Sequence, residues 1–166
     1  MRFIADNTVG KLRRWLGLLG YDIVYDPRSA REIVRDPAVI DGQWTVLGRC
    51  PSLADEQLAA QPSKEMALFF PVESPVLTDQ VREVAQAFPL DFAQTLFSRC
   101  TLCNLPLDGP MALDALPPTT RETVPRLVVA WRDTYFYCPA CRRAYWEGTH
   151  TERIREVLRS EVGLRL

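Results

Sequence analysis

The residues best equipped for chemistry in this 166-residue chain are four cysteines in two like-spaced pairs, Cys100-x-x-Cys103 and Cys138-x-x-Cys141. A two-residue spacer turns back tightly enough for both of its sulfurs to face one ion, and four thiolates satisfy tetrahedral zinc at about 2.3 Å. The alternatives are two disulfides, which need an oxidising compartment, or a thioredoxin-like redox pair, which needs only one such motif. The long separation between the pairs suits a zinc ribbon with its two knuckles on separate hairpins. Four sulfurs leave no open coordination position, so the expected zinc folds the module and does not catalyse. The fifth cysteine, Cys50, reads as a small apolar residue at a strand end, with a reactive thiol as the alternative.

Carboxylates give the second signal. Asp6 closes the apolar run Phe3-Ile4-Ala5, and Asp26 and Asp55 follow the ends of later strand candidates. Acids that face one another across the ends of parallel strands hold Mg²⁺ or Mn²⁺ for in-line attack of water on a phosphodiester. A single aspartate in that place serves equally well as a turn or cap residue. Lys11, Arg13 and Arg14 lie opposite the apolar face of a first helix, Arg49 ends a strand, and Arg99, Arg142 and Arg143 flank the cysteine pairs. Each is a candidate for phosphate, weighed against a merely solvated basic face. Tyr135, Tyr137, Tyr145 and Trp146 suit either base stacking or the core of a small module, and His150 reads as a helix N-terminal or packing residue.

The elements that must position these groups can be read from periodicity. Phe3 to Ala5, Tyr21 to Tyr25, Trp44 to Leu47 and Ala67 to Val72 are short strand candidates. Between them lie helical patterns. Asn7 or Thr8 is a candidate cap for a helix with Val9, Leu12, Trp15, Leu16 and Leu19 inward; Ser29 with Glu32 has capping-box spacing; Pro37 shortens or restarts that helix; and Thr78 opens another. Alternating strands and helices predict an α/β fold, a parallel sheet with helices on both faces, whose sites lie beyond the C-terminal strand ends. From Phe97 the pattern changes, and the connection containing Pro106, Pro110, Pro117, Pro118 and Pro125 cannot be a regular helix. Leu127 to Trp131 and Tyr135 to Tyr137 read as strands, Ala144 to Trp146 as a hairpin partner, and a last helix starts near Thr151. The expected division is 1–96 for the α/β domain and 97–166 for the ribbon with its helix.

Composition narrows the function classes. A net charge of −1 argues against binding nucleic acid through bulk charge alone, although the balance shifts along the chain, with 10 basic against 13 acidic residues up to position 96 and 10 against 8 beyond it. No apolar run approaches the roughly 20 residues that span a bilayer, and the N-terminus has no apolar signal core, so a cytoplasmic location without membrane association is expected.

Phe3-Ile4-Ala5-Asp6, Gly10-Lys11-Leu12-Arg13-Arg14-Trp15-Leu16 and Leu19-Gly20-Tyr21-Asp22 resemble the opening of the Mut-seven C-terminal RNase family. Phe97-Ser98-Arg99-Cys100, Cys103-Asn104, Pro106-Leu107, Cys138-Pro139, Tyr145-Trp146 and Gly148-Thr149-His150 resemble its ending, so the likeness runs in order from about residue 2 to 158. The resemblance implies a PIN-like α/β nuclease domain followed by a zinc ribbon, acting on RNA with Mg²⁺ or Mn²⁺ held by acids, and it gives Asp6 a metal-ligand role. The sequence departs from the family where Gly48-Arg49-Cys50 replaces Thr-Arg-Asp, and where Pro75-Val76 replaces an acidic pair. Asp26 and Asp55 are then the remaining candidate acids. Two expectations follow: a metal-dependent endoribonuclease with an incomplete acidic site, or an inactive module of the same fold that binds RNA, a protein partner or a second copy of itself.

Overall fold

The computed structural model describes residues 1–59 and 66–166. Its first part is four parallel strands, β1 (Arg2–Ala5), β2 (Asp22–Tyr25), β3 (Trp44–Gly48) and β4 (Leu68–Pro71), in the order β2-β1-β3-β4. Helices α1 (Leu12–Leu19), α2 (Ala30–Ile33), α3 (Pro37–Asp41) and α4 (Pro51–Ala59) make the crossovers, and α5 (Leu77–Ala87) and α6 (Phe92–Thr95) follow β4. Side-chain alternation divides each strand between two cores. Phe3, Ala5, Ile23 and Leu47 pack under α1 and α5, while Ile4, Val46 and Phe69 pack against α2, α3 and α4 on the opposite face. The capping box of Ser29 and Glu32 is present, and Pro37 restarts the chain as α3 with Asp36 as its cap.

The second part is an antiparallel sheet of β5 (Asp108–Met111), β6 (Tyr135–Cys138) and β7 (Arg143–Tyr145), in that order, with short helices α7 (Pro118–Arg121) and α8 (Arg126–Trp131) between β5 and β6. Tyr135 is fully buried with Leu116 and Val124 in a third, small core. Helix α9 (Thr149–Ser160) then returns to the α/β part, where Leu158 and Val162 join the core under α1.

Two readings are corrected. Leu127 to Trp131 is helix α8 and not a strand: Pro125 enters it with the amide groups of Val128 and Val129 on its carbonyl, and a short apolar run cannot separate helix from strand. This helix buries none of its residues, leaving Leu127 and Trp131 at 77% and 78% exposure. Neither Asn7 nor Thr8 caps α1, which starts at Leu12 after a turn.

The two parts are locked together at the end of α1 and the edge of β2. The last carbonyls of a helix lack partners within it. Here Leu18 O accepts from Phe97 N (2.7 Å), Leu19 O from Thr95 Oγ1 (2.8 Å) and Gly20 O from Arg99 Nε (2.8 Å). Asn104 reaches further. It is buried, and its Oδ1 accepts the Ile23 amide of edge strand β2 at 2.8 Å, while its Nδ2 sits where a side chain on Gly17 would stand. Its φ of 63° is the left-handed conformation that asparagine tolerates better than most residues. Asn104→Ala leaves a buried amide unpaired and should lower stability by about 1–3 kcal/mol, read as a reduced urea midpoint at unchanged zinc content.

Candidate metal centre and basic groove

The four cysteines come together. All are free thiols, and their sulfurs lie within 4.8 Å of one another, with Cys100 and Cys141 3.8 Å apart and Cys103 and Cys138 3.5 Å apart. A tetrahedron with arms of about 2.3 Å has edges of about 3.8 Å, whereas a disulfide needs about 2.05 Å. The spacing therefore fits a zinc ion and not a disulfide. Each pair folds as a knuckle, the Cys141 amide pointing at Cys138 Sγ (3.4 Å) and the Cys103 amide at Cys100. Burial disfavours ionising Cys100, yet hydrogen bonds from Tyr145, 3.1 Å away, and from the amides of Cys103 and Leu102 bring its thiol down to about 6. Hydrogen bonding to Cys103, with burial, pushes Cys141 up to about 12. Sulfurs this close cannot all ionise unless a cation neutralises them, and the donor set is that of a structural zinc site.

The second location is the C-terminal end of the parallel sheet. The strand order changes direction between β1 and β3, and in such sheets the crevice beyond that switch is where ligands bind. Asp6 leaves β1 there, 1% exposed. Thr8 gives its Oδ1 two hydrogen bonds, from the amide at 2.8 Å and from the hydroxyl at 2.5 Å, and the same hydroxyl accepts from Arg49 N at 2.8 Å. Oδ2 lies against Gly48, where an added Cβ would stand only 2.5 Å away. The glycine in place of a larger residue at the end of β3 is what lets the carboxylate tuck against the sheet. The sequence signal for Thr8 was its i+2 spacing from an aspartate, the usual Asx-turn arrangement.

An open groove of about 690 Å³ runs over these strand ends. Lys11, Arg13, Arg14 and Arg49 line it, no carboxylate does, and none of the four cations forms an ion pair among the described residues. Tyr25, half exposed, lies across Gly10, whose missing side chain makes room for the ring. Arg13 also donates to the carbonyls of Thr101 and Leu102, tying α1 to the first knuckle.

The other candidates lie apart from the groove. Asp26 is clamped by Arg28, whose guanidinium bonds hold its carboxyl below the usual range, and Arg28 reaches on to Asp36. Asp55 is exposed on α4. Cys50 packs against the core on the α2 side, its sulfur 3.7 Å from Ser52 Oγ. Among the described residues the cysteines form the only group of three or more metal-ligand side chains. Asp6, Asp26 and Asp55 are therefore not joined in a cage for a hard cation, and a thiol such as Cys50 is a poor ligand for one. Arg99 is held by the carbonyls of Gly20 and Asn104, while Arg142 and Arg143 are exposed around the second knuckle.

Residues 1–158 match the family described as the Mut7-C RNAse domain. The chain belongs to the Mut7-C RNAse domain family. No curated protein and no solved structure matches it significantly. In this Mut7-C chain the four-strand parallel sheet carries Asp6, and the small antiparallel sheet carries the cysteine cluster. No helix among the described residues is long and apolar enough to cross a membrane.

Two outcomes test this geometry. Metal analysis of the purified chain should give about one zinc per molecule, and Cys138→Ser should lose it together with the ordered amide signals of β5 to β7. Gly48→Ala should destabilise by about 1–3 kcal/mol, because its Cβ must displace the Asp6 carboxylate. In the Asp6→Ala background the same change should cost less, a coupling that a double-mutant cycle in urea measures.

Proposed function

We propose that this Mut7-C chain is an RNA-directed protein that holds the phosphodiester backbone in the groove at the C-terminal end of the sheet. The observation that carries this reading is the lining itself: Lys11, Arg13, Arg14 and Arg49 converge at the strand switch with no acid among them. Converging cations with no internal counter-charge attract a polyanion, and guanidinium forks match phosphate oxygens in pairs. Arg49 follows the end of β3, beside Asp6. Its amide is fixed by Thr8, and its exposed side chain is left for the ligand.

Metal-dependent hydrolysis is the second reading, favoured by Asp6 at the end of β1 and by membership of an RNase family. The described residues do not form a ready-made Mg²⁺ or Mn²⁺ site. A hard cation beside Asp6 would draw most of its oxygens from water and from RNA, so the nucleic acid itself would complete the coordination. The binding reading requires no such cation.

Titration of a labelled single-stranded RNA against rising salt separates the two. Four phosphate contacts give a slope of log affinity on log salt of about −3, and Arg49→Ala or Lys11→Ala should weaken binding to all sequences alike and reduce the slope by about one contact. Asp6→Asn should leave affinity unchanged or slightly tighter, since it removes a negative charge near the phosphates. Cleavage of the RNA with Mn²⁺ or Mg²⁺ that Asp6→Asn abolishes establishes the second reading. Salt-independent binding indifferent to Arg49→Ala overturns the first.

A further inference from the structure

A second and larger opening lies further along α1, past Arg14 toward Leu18. It is a cleft of about 950 Å³ between α1, the antiparallel sheet and α9, within the size range of small-molecule and nucleotide pockets. Its floor is aromatic. Phe136 of β6 and Tyr145 of β7 are directly opposite each other in the sheet, so their rings share one face, and both line the cleft. Their strand neighbours Tyr137 and Ala144 turn the other way, into the small core with Tyr135. Phe97 adds a third ring, with the Arg155 guanidinium 5.0 Å from its centre. Its φ of 61° is a left-handed conformation that costs a non-glycine residue stability and is found most often at functional sites.

The rim of the cleft is cationic. Arg14, Arg153 and Arg159 line it and form no ion pair among the described residues, whereas the one acid in the lining, Glu147, is already paired with Arg155. Arg14 lines the basic groove as well, so the two openings meet at one side chain. A ligand lying across both therefore meets phosphate-binding cations on one side of Arg14 and flat rings with further cations on the other.

We propose that this cleft is the base-binding subsite of the RNA path, taking one or two unpaired bases of a single strand whose phosphates lie in the basic groove. This rests on the groove reading above. Aromatic faces stack any base, whereas a duplex keeps its bases stacked on one another and cannot offer them to Phe136 and Tyr145. The chain thus selects single-stranded RNA by the accessibility of its bases and tolerates sequence.

Competition binding with three probes tests it: a single-stranded RNA of about ten nucleotides, the same length as a base-paired duplex, and linear inorganic polyphosphate of similar charge. The single strand should bind at least about tenfold more tightly than either of the others. Phe136→Ala should remove most of that margin and leave polyphosphate affinity unchanged, while Arg49→Ala should weaken the single strand and polyphosphate together. Phe136→Leu preserves apolar volume without a flat ring, and it decides the matter if the alanine variant loses zinc. Equal affinity for the single strand and either competitor, or equal losses for RNA and polyphosphate in the Phe136 variants, overturns the base subsite and leaves the groove standing. RNA binding sensitive to Phe136 but indifferent to Arg49 overturns the groove and retains the cleft, and no binding of any probe overturns both.

Discussion

The structure depends on the tetrahedral convergence of four sulfurs, because that convergence fixes Asn104 next to Cys103. A loop whose leucines Leu102 and Leu105 stay half exposed has little packing of its own to hold one shape. Pinned at Cys100 and Cys103, it presents one asparagine side chain to the amide of Ile23 and against Gly17. That bond ties the edge strand of the parallel sheet to the cysteine cluster, and the hydrogen bonds from residues 95 to 99 onto the last carbonyls of α1 act in the same place. Cysteine cluster, edge strand and first helix are consequently joined by direct hydrogen bonds, although the cysteines and the sheet belong to different parts of the chain.

Helix α1 gains a double role from that arrangement. Its apolar side, Leu12, Leu16 and Leu19, is buried in the larger core, while Lys11, Arg13 and Arg14 are left to the strand ends and the ribbon. The carboxylate beside them is folded inward onto Gly48 and held by Thr8. A net charge near zero therefore conceals a separation of sign: Asp26, Asp36 and Glu56 pair with Arg28, Arg31 and Arg35, none of which lines the groove. Composition averages over such pairs, and only their placement reveals a cationic surface.

The four strands, the capping box at Ser29 and the cysteine pairs were legible because each is a local pattern with a fixed period or spacing. Helix α8 was misread because five apolar residues carry no period, and the proline before them fits either state. The roles of Thr8 and Asn104 were hidden for a different reason. The turn that Thr8 makes on Asp6 is local, but its bond from the Arg49 amide, like the bond from the Ile23 amide to Asn104, joins residues remote in sequence, and nothing in the flanking residues marks such a bond. Asp26 passed as a site candidate because sequence order placed it at a strand end, whereas its partner Arg28, two residues away, decides its environment. Of the aromatic residues around the second cysteine pair, Tyr135 went to the core and Tyr145 to the cleft, a choice made by strand alternation and sheet register.

The bond from Asn104 to Ile23 also has a consequence for the order of events during synthesis. Chains leave the ribosome N-terminus first at roughly 5–20 residues per second, so all four parallel strands emerge before Asn104, and Asn104 well before Cys141 completes the set of sulfurs. For those seconds the outer edge of β2 is open to pairing with a neighbouring chain. A metal at the four sulfurs would therefore bear on more than the small sheet: it would hold Asn104 in place to seal that edge, from a site on the far side of the sequence.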